Sequence, residues 1–336
     1  MKSLDTLTES SLVLYLISGG GSATAEKPID DEISLDDLIE TYRVLVHSNS
    51  PIAEINTIRK HLSEIKGGRL AQAAYPAQQI SILVSDVPDT TPDALASGPT
   101  MPDSTTVEDC YRIAMRAIDL PFEKHPAAVP GQATPGLVNQ FPASVGELFQ
   151  RRALAETPKC DDPAFVRARW WTILSNADLL RKAQLEAERQ GFTVTIDNSC
   201  DDWDYRKAAD YLLTRLMKLR PEHERVCLLS GGEVTVRLEH GGTGGRNQQF
   251  ALYLAEKIAG ENIVVLSAGS DGIDGNSRAA GAIVDGTTVE RARARGLDAK
   301  VHLEAFNANP FFEALGDDIV TGPTGNNLRD IRILLA

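Results

Sequence analysis

The chain has 336 residues, of which 42% are hydrophobic and 24% charged, as is ordinary for a globular protein of one or two domains. Its formal net charge of −13 argues against a role in binding nucleic acid, because no basic stripe offsets it. No segment approaches the ~20 apolar residues of a membrane span, and we expect no signal peptide. The four cysteines are scattered without a CxxC pair, which favours free thiols in a reducing cytoplasm.

The first part of the chain predicts two strands with helices between them. Residues 12–17 form an unbroken apolar run that stops at glycines, as a buried parallel strand would. Helical patterns then begin at Ser34 and at Pro51. Residues 80–84 predict a second strand, with Asp86 at its carboxyl-terminal tip.

A poorly periodic segment rich in Pro, Gly and Ala, residues 121–163, predicts a domain boundary near its end. We therefore expect one domain at 1–160 and a second at 161–336. Beyond the boundary, strands and helices alternate, which predicts βαβ units around a mostly parallel sheet. The predicted elements are strand 168–175, helix 177–190, strand 192–197, helix 204–219, strands 225–230 and 234–238, a helix that opens at 245, and strand 263–267.

Glycine-rich turns follow several of these strands. The first consists of Ser18, Gly19, Gly20, Gly21 and Ser22. Its N–H groups and hydroxyls could hold a phosphate or a carboxylate, although a turn that needs positive φ angles explains the pattern equally well. No Walker A sequence is present, which excludes an ordinary P-loop enzyme, and the lack of a GxGxxG fingerprint weakens a dinucleotide interpretation.

An arginine opens a predicted helix in the second half of the chain. Gly244 and Gly245 precede Arg246 and Asn247, so the arginine falls in the first helical turn, where a cation opposes the helix dipole. A guanidinium that serves an anion explains this unfavourable placement. The alternative is a surface arginine paired with an acid; the two preceding glycines favour the anion site.

Carboxylates follow the most hydrophobic strand of the second domain. Asp271 and Asp274 come just after strand 263–267, and Asp86 is a third carboxylate at a strand tip. Such groups can bind Mg²⁺ or accept a proton from a hydroxyl. The alternative is that Asp271 and Asp274 form Asx turns, a common role for Asp beside glycine.

Taken together, the motifs resemble the glycerate 2-kinase family, which combines a DUF4147 domain with a C-terminal MOFRL domain and is often also labelled hydroxypyruvate reductase. The matching segments run nearly end to end, in the family order: 16–23, 54–63, 65–71, 85–87, 96–106, 230–233, 244–248, 271–275, 279–282 and 321–327.

The resemblance implies an α/β protein with two α/β domains, a Rossmann-like first domain and a second that contains the MOFRL region at about 225–336, with a cleft between them. It also implies transfer of the γ-phosphoryl group of ATP to the 2-hydroxyl of D-glycerate with Mg²⁺. Arg246 would stabilise charge on the transferring group, and Asp271 would be a base or a metal-linked acid. The resemblance implies that the substrate and the nucleotide are bound by Ser18, Gly19, Gly20, Gly21, Ser22, Asp86, Gly244, Gly245, Asn247, Asp274, Thr321, Thr324 and Asn327.

One departure from the family bears on activity. Family members carry a further βα segment before the Ser18–Ser22 turn, with a Gly-Lys-Ala motif whose lysine is implied to be catalytic. Because this sequence begins just short of the strand that leads into that turn, we expect the chain alone to be weakly active or inactive. Two alternatives stay open: an NAD(P)H-dependent hydroxypyruvate reductase, and a non-catalytic domain that binds a ligand or a partner chain. We also expect that the protein can form a homodimer.

Overall fold

The structure is a computed structural model that describes residues 3–48, 50–88, 91–116, 136–237 and 241–336. Its contacts divide the chain into two compact units, Met1–Leu83 with Thr90–Thr172 and Val84–Asp89 with Ile173–Ala336. The domain division at residues 160 and 161 stays a prediction, and the poorly periodic segment behind it lies partly outside the described residues. The four cysteines are free, as expected.

The first unit combines a three-stranded sheet with a layer of helices. Its elements are β1 Leu12–Ser18, α1 Gly21–Thr24, α2 Leu35–His47, α3 Ile52–His61, α4 Arg69–Ala74, β2 Gln78–Val84, α5 Val107–Met115, α6 Ala143–Gln150 and β3 Ala168–Leu174. The sheet order is β1-β2-β3. The helix predicted from Ser34 is confirmed, because the Ser34 hydroxyl accepts a hydrogen bond from the Asp37 N–H at 3.0 Å and so caps α2.

The first strand is confirmed, but it is not buried as predicted. Leu12, Leu14 and Leu16 are exposed, with fractions of 61%, 55% and 76%. Because β1 is an edge strand, it is paired on one side only within the described sheet. An unbroken apolar run therefore indicates a strand without settling whether its faces are covered.

The second unit is built on a six-stranded sheet. Its elements are α7 Asn176–Arg189, β4 Thr193–Ile196, α8 Tyr205–Leu219, β5 Val226–Ser230, α9 Arg246–Lys257, β6 Val264–Gly269, β7 Gly281–Asp285, α10 Thr288–Ala294, α11 Ala299–Glu304, α12 Ala308–Leu315, β8 Asp318–Ile319 and β9 Asp330–Leu335. The α/β class is confirmed. Among the described residues, no helix combines the length and the apolar character needed to cross a membrane.

The strand order is β4-β5-β9-β6-β7-β8. Only β4 and β5 pair in parallel, and the other four pairings are antiparallel, so the expectation of a mostly parallel sheet is wrong for this unit. The physical reason is that the chain returns at its end, so that β9 inserts between β5 and β6. The predicted strand 234–238 is also absent as such, because Thr235 forms only an isolated bridge with Asp204, and Leu238 lies outside the described residues.

The insertion of β9 determines which side chains meet at one edge of the sheet. Asp330 pairs with Gly269 at the end of β6, and Arg332 pairs with Ser230 at the end of β5. Two charged side chains thus enter the sheet between two strands that end in glycine-rich turns.

The largest apolar core of this unit packs α8 and α9 against the sheet. We expect Leu212→Ala, in the fully buried face of α8, to lower the free energy of unfolding by about 2–5 kcal/mol, because it deletes packed methyl groups and leaves a cavity. Equilibrium urea unfolding measures this change. Met217→Ala, on the exposed face of the same helix, is the matched control and should change it by less than about 0.5 kcal/mol. Equal losses in the two variants would contradict the described packing.

Candidate active site

A cavity of about 730 Å³ opens in the second unit where the turns around α9 and β6 meet. Its lining includes Gly244, Gly245, Arg246, Asp271 and Asp274, together with Glu233 and Asp202. The structure therefore brings the arginine and both aspartates predicted for this half of the chain into one pocket. Phosphoryl transfer needs this combination of a cation, acids and close backbone approach.

Arg246 is the first residue of α9, as its sequence position predicts. Its Nε donates to Asp330 Oδ2 at 2.7 Å and its Nη2 donates to Asp330 Oδ1 at 3.0 Å. Glu233 Oε1 lies 2.7 Å from the same Nη2. Arg246 is thus paired with acids, which agrees with the alternative given for it. It also lines the pocket, which an anion site requires.

Burial and charge act against each other on this arginine. Burial alone would lower the pKa of Arg246, but the hydrogen bonds and the charge of Asp330, with Glu233, raise its pKa above the ordinary value. Burial raises the pKa of Glu233, and the nearby charge of Arg246 opposes that rise. Arg246 is therefore a permanent cation in the pocket.

Asp274 caps the start of α9. Its two carboxylate oxygens accept the N–H groups of Asn247 at 3.0 Å and Gln248 at 2.8 Å. A Cβ on Gly245 would come within 2.3 Å of Asp274 Oδ1, so the close approach of these two segments requires glycine there. Among the described residues, the N–H groups of Gly245 and Arg246 donate to no acceptor, as is usual at the start of a helix, and such groups can bind an anion.

Asn247 plays a structural part instead of lining the pocket. It is buried, its Oδ1 accepts the Ser267 hydroxyl at 2.6 Å, and its amide lies 3.4 Å from Asp274 Oδ1. Asn247 thus ties the start of α9 to β6. Gly244 lines the pocket, and its N–H donates to Asn276 Oδ1 at 2.9 Å.

Asp271 forms an Asx turn, because its Oδ1 accepts the Ile273 N–H at 3.0 Å. This turn is one of the two roles that the sequence predicts for Asp271. It lines the pocket and forms no ion pair among the described residues. Within those residues, no group of three or more His, Cys, Asp or Glu side chains is arranged to hold a metal ion. The donor set fits Mg²⁺ only as an ion shared between one carboxylate, such as Asp271, and oxygens of a bound phosphate chain.

The three predicted residues near the end of the chain, Thr321, Thr324 and Asn327, lie outside the pocket lining, and Thr324 supports the Asp271 turn. The Thr324 N–H donates to the Asp271 carbonyl at 3.0 Å, and its hydroxyl donates to the Ser270 carbonyl at 2.7 Å. Asn327 Oδ1 accepts the Arg329 N–H at 3.0 Å, and Thr321 is exposed.

The Ser18–Ser22 turn lies in the first unit, at the end of β1. Gly19, Gly20 and Gly21 line a cavity of about 560 Å³ that also includes Lys66. The Ser22 and Ser97 hydroxyls are 2.9 Å apart, and Lys66 forms an ion pair with Glu26. The predicted role of this turn, and a cleft that it shares with Arg246, stay predictions.

Asp86 lies two residues after the end of β2 and groups with the second compact unit, whereas the sequence places it in the first domain. Burial raises the pKa of its carboxyl, and the positive charge of Arg329 opposes the rise.

Sequence reasoning misses three charged residues that organise the pocket: Glu233, Asp330 and Arg332. A signal for two of them exists, since Asp330 and Arg332 occupy alternate positions in a run that is otherwise apolar. Alternate residues of a strand share one face, so two charges at this spacing indicate a buried pair beside a site.

The buried carboxyl of Asp274 predicts a dependence of stability on pH. Burial raises its pKa from the ordinary 3.8 to about 6, so the folded protein binds this proton more tightly than the unfolded chain does. Ionisation of Asp274 therefore lowers stability as the pH rises through this window. Relative to Asp274→Asn, the wild type should lose on the order of 2 kcal/mol of unfolding free energy between about pH 4 and about pH 7. Urea unfolding at each pH measures the difference, and a difference that does not change with pH would contradict this origin.

Comparison with known proteins extends over nearly the whole chain. The domain of unknown function DUF4147 matches residues 1–129, and the MOFRL family matches residues 226–330. A D-glycerate 2-kinase from Thermotoga maritima is 33% identical, covering 98% of this chain and 73% of that protein. A glycerate 2-kinase from Pyrococcus horikoshii is 36% identical (99% and 72%), and a putative hydroxypyruvate reductase from Agrobacterium vitis is 37% identical (98% and 71%).

A solved structure supports the same assignment. The crystal structure of a glycerate kinase from Thermotoga maritima matches with a TM-score of 0.81 and 33% identity, covering 99% of this chain and 75% of that one. Both domains match in order, and relatives above 30% identity are covered over more than two thirds of their length, so the chain belongs to the glycerate kinase family of DUF4147–MOFRL proteins.

Proposed function

We propose that this kinase transfers the γ-phosphoryl group of ATP to the 2-hydroxyl of D-glycerate and so forms 2-phosphoglycerate. Relatives named D-glycerate 2-kinase and glycerate 2-kinase support the acceptor and the hydroxyl. A cytoplasmic location and a homodimeric state stay predictions.

The observation that carries the proposal is the placement of Arg246. Its side chain is about a third exposed and lines the 730 Å³ pocket, and its guanidinium is paired with a fully buried carboxylate. In phosphoryl transfer, charge spreads over the equatorial oxygens of the moving group, and a fixed guanidinium stabilises that charge. The N–H groups of Gly245 and Arg246 would add two donors for phosphate oxygens at the start of the helix.

Asp271 is the carboxylate that we assign to the acceptor side of the reaction. It lines the pocket without an ion pair among the described residues, so it can accept the proton of the glycerate hydroxyl or contribute one oxygen to a shared metal ion. Mg²⁺, when bound with the nucleotide, would supply neutralising charge to the phosphate chain. Asp274 is not available for either task, because both of its oxygens cap α9.

The Ser18–Ser22 turn provides a second group of donors. Its glycine N–H groups and the hydroxyls of Ser18 and Ser22 suit a carboxylate or a phosphate. We assign it to substrate binding because its glycines line a cavity of their own, with Lys66 nearby.

A direct assay tests the proposed reaction. Wild-type protein with ATP, Mg²⁺ and D-glycerate should release ADP, and ³¹P NMR should identify phosphate on the 2-hydroxyl. Oxidation of NAD(P)H by hydroxypyruvate without ATP would instead support the reductase alternative. The lack of a GxGxxG dinucleotide-binding fingerprint in the sequence weakens that alternative.

Replacing the arginine tests the mechanism. Arg246→Ala should lower kcat/KM by about 1000-fold or more, because it removes the cation that faces the transferring group. The same coupled assay of ADP release measures the loss. Arg291→Ala is the matched control, since Arg291 makes a comparable two-bond pair with Asp317 but does not line the pocket. Equal activity of the two variants would exclude Arg246 from the reaction.

A further inference from the structure

The guanidinium of Arg246 makes its contacts within the described residues through Nε and Nη2. Nε and Nη2 donate to the two oxygens of Asp330, and Nη2 also faces Glu233. Among the described residues, the two N–H groups of Nη1 have no acceptor. Since the side chain lines the pocket, Nη1 carries the donors that are left for a ligand.

Asp330, in turn, is held by its backbone pairing in the sheet and by a second arginine. It is completely buried and sits opposite Gly269 in the ladder between β9 and β6. The amide of Asn176 donates to its carbonyl oxygen at 3.0 Å, and Arg332 Nη2 donates to its Oδ2 at 3.3 Å. A carboxylate held by the sheet backbone and by a second arginine cannot follow a mobile partner, so it dictates where that partner lies.

Arg332 extends this arrangement to the turn after β5. Its Nη1 donates to the carbonyl oxygens of Gly231 and Gly232 at 3.0 Å and 3.4 Å. The same buried arginine therefore contacts both Asp330 and the turn that precedes Glu233, so the two acids beside Arg246 share one support.

We propose that Asp330 is a positioning residue for phosphoryl transfer, which fixes the plane of the Arg246 guanidinium so that Nη1 is presented to the transferring group. The inference rests on the proposed function. Two parallel hydrogen bonds to one carboxylate determine the orientation of a guanidinium, whereas a single ion pair neutralises it without fixing its plane. Glu233 supplies only such a single contact, from a side chain that is about a third exposed.

Asp330→Asn tests the proposal, because it keeps the shape of the side chain and removes one acceptor and the charge. We expect kcat to fall about 100-fold while KM for D-glycerate changes little, since the loss concerns the orientation of a group that acts on the transition state. Asp317→Asn is the matched control, as it breaks the two-bond pair with Arg291 away from the pocket, and it should leave kcat unchanged. Unchanged kcat in Asp330→Asn would overturn the proposal.

Asp330 also neutralises the buried Arg332, so Asp330→Asn could lose activity because the fold is damaged. A second measurement separates this cause from the loss of positioning. Arg246→Ala should regain activity in guanidinium chloride at concentrations far below those that unfold the protein, since the free cation can occupy the vacated place beside Asp330. The double variant Arg246→Ala/Asp330→Asn should melt cooperatively, as a folded protein does, and should not be rescued. Equal rescue in both backgrounds would show that Asp330 does not hold the guanidinium.

ATP titration by calorimetry separates failure of this inference from failure of the proposed function. If the wild-type protein binds ATP but does not phosphorylate glycerate, the proposed function is refuted. The positioning role of Asp330 can still be tested by ATP affinity. In that case Asp330→Asn should bind ATP about tenfold more weakly than the wild type, because the misaligned guanidinium loses a phosphate contact. Equal affinities would overturn the role of Asp330.

Discussion

The pocket of this kinase depends on a carboxylate that is buried inside the sheet. Asp330 binds Arg246 through two hydrogen bonds and contacts the fully buried Arg332, so three charges share one small volume. Buried charges are costly unless each is paired, and removing one partner leaves the others uncompensated. The three residues therefore act as one unit. Asp330 neutralises both Arg246, which faces the pocket, and Arg332, which supports the glycine turn after β5.

The antiparallel insertion of β9 makes this unit possible. In a wholly parallel sheet, β5 and β6 could have been direct neighbours; here the returning strand separates them and brings its own side chains between their ends. Asp330 then lies at the end of β6, and Arg332 lies at the end of β5. The departure from the expected topology thus accounts for residues of the site that the expected topology could not supply.

Local sequence pattern was sufficient for part of this site and insufficient for the rest. The two glycines before Arg246 predicted its place at the start of a helix, and the strand before Asp271 predicted a turn at its tip, because both signals lie within a few residues. The partners of Arg246 come from residues 233 and 330, and only the long-range pairing of β9 brings the second of these close. Periodicity describes a strand's faces but not its neighbours, which is why the mostly parallel sheet was wrong and Asp330 was missed.

The pairing of β9 with β6 also has a consequence for folding fidelity. Successive side chains of a strand point to opposite faces of the sheet. A slip of β9 by one position would therefore turn Asp330 and Arg332 to the opposite face and place the apolar Ile331 and Ile333 on the face that the charged residues now occupy. The arginine of the pocket would then face a hydrocarbon surface in place of its acid. In this protein, correct alignment of a single returning strand is at once a condition of sheet stability and a condition of an assembled anion site, so a misaligned chain would be inactive as well as unstable.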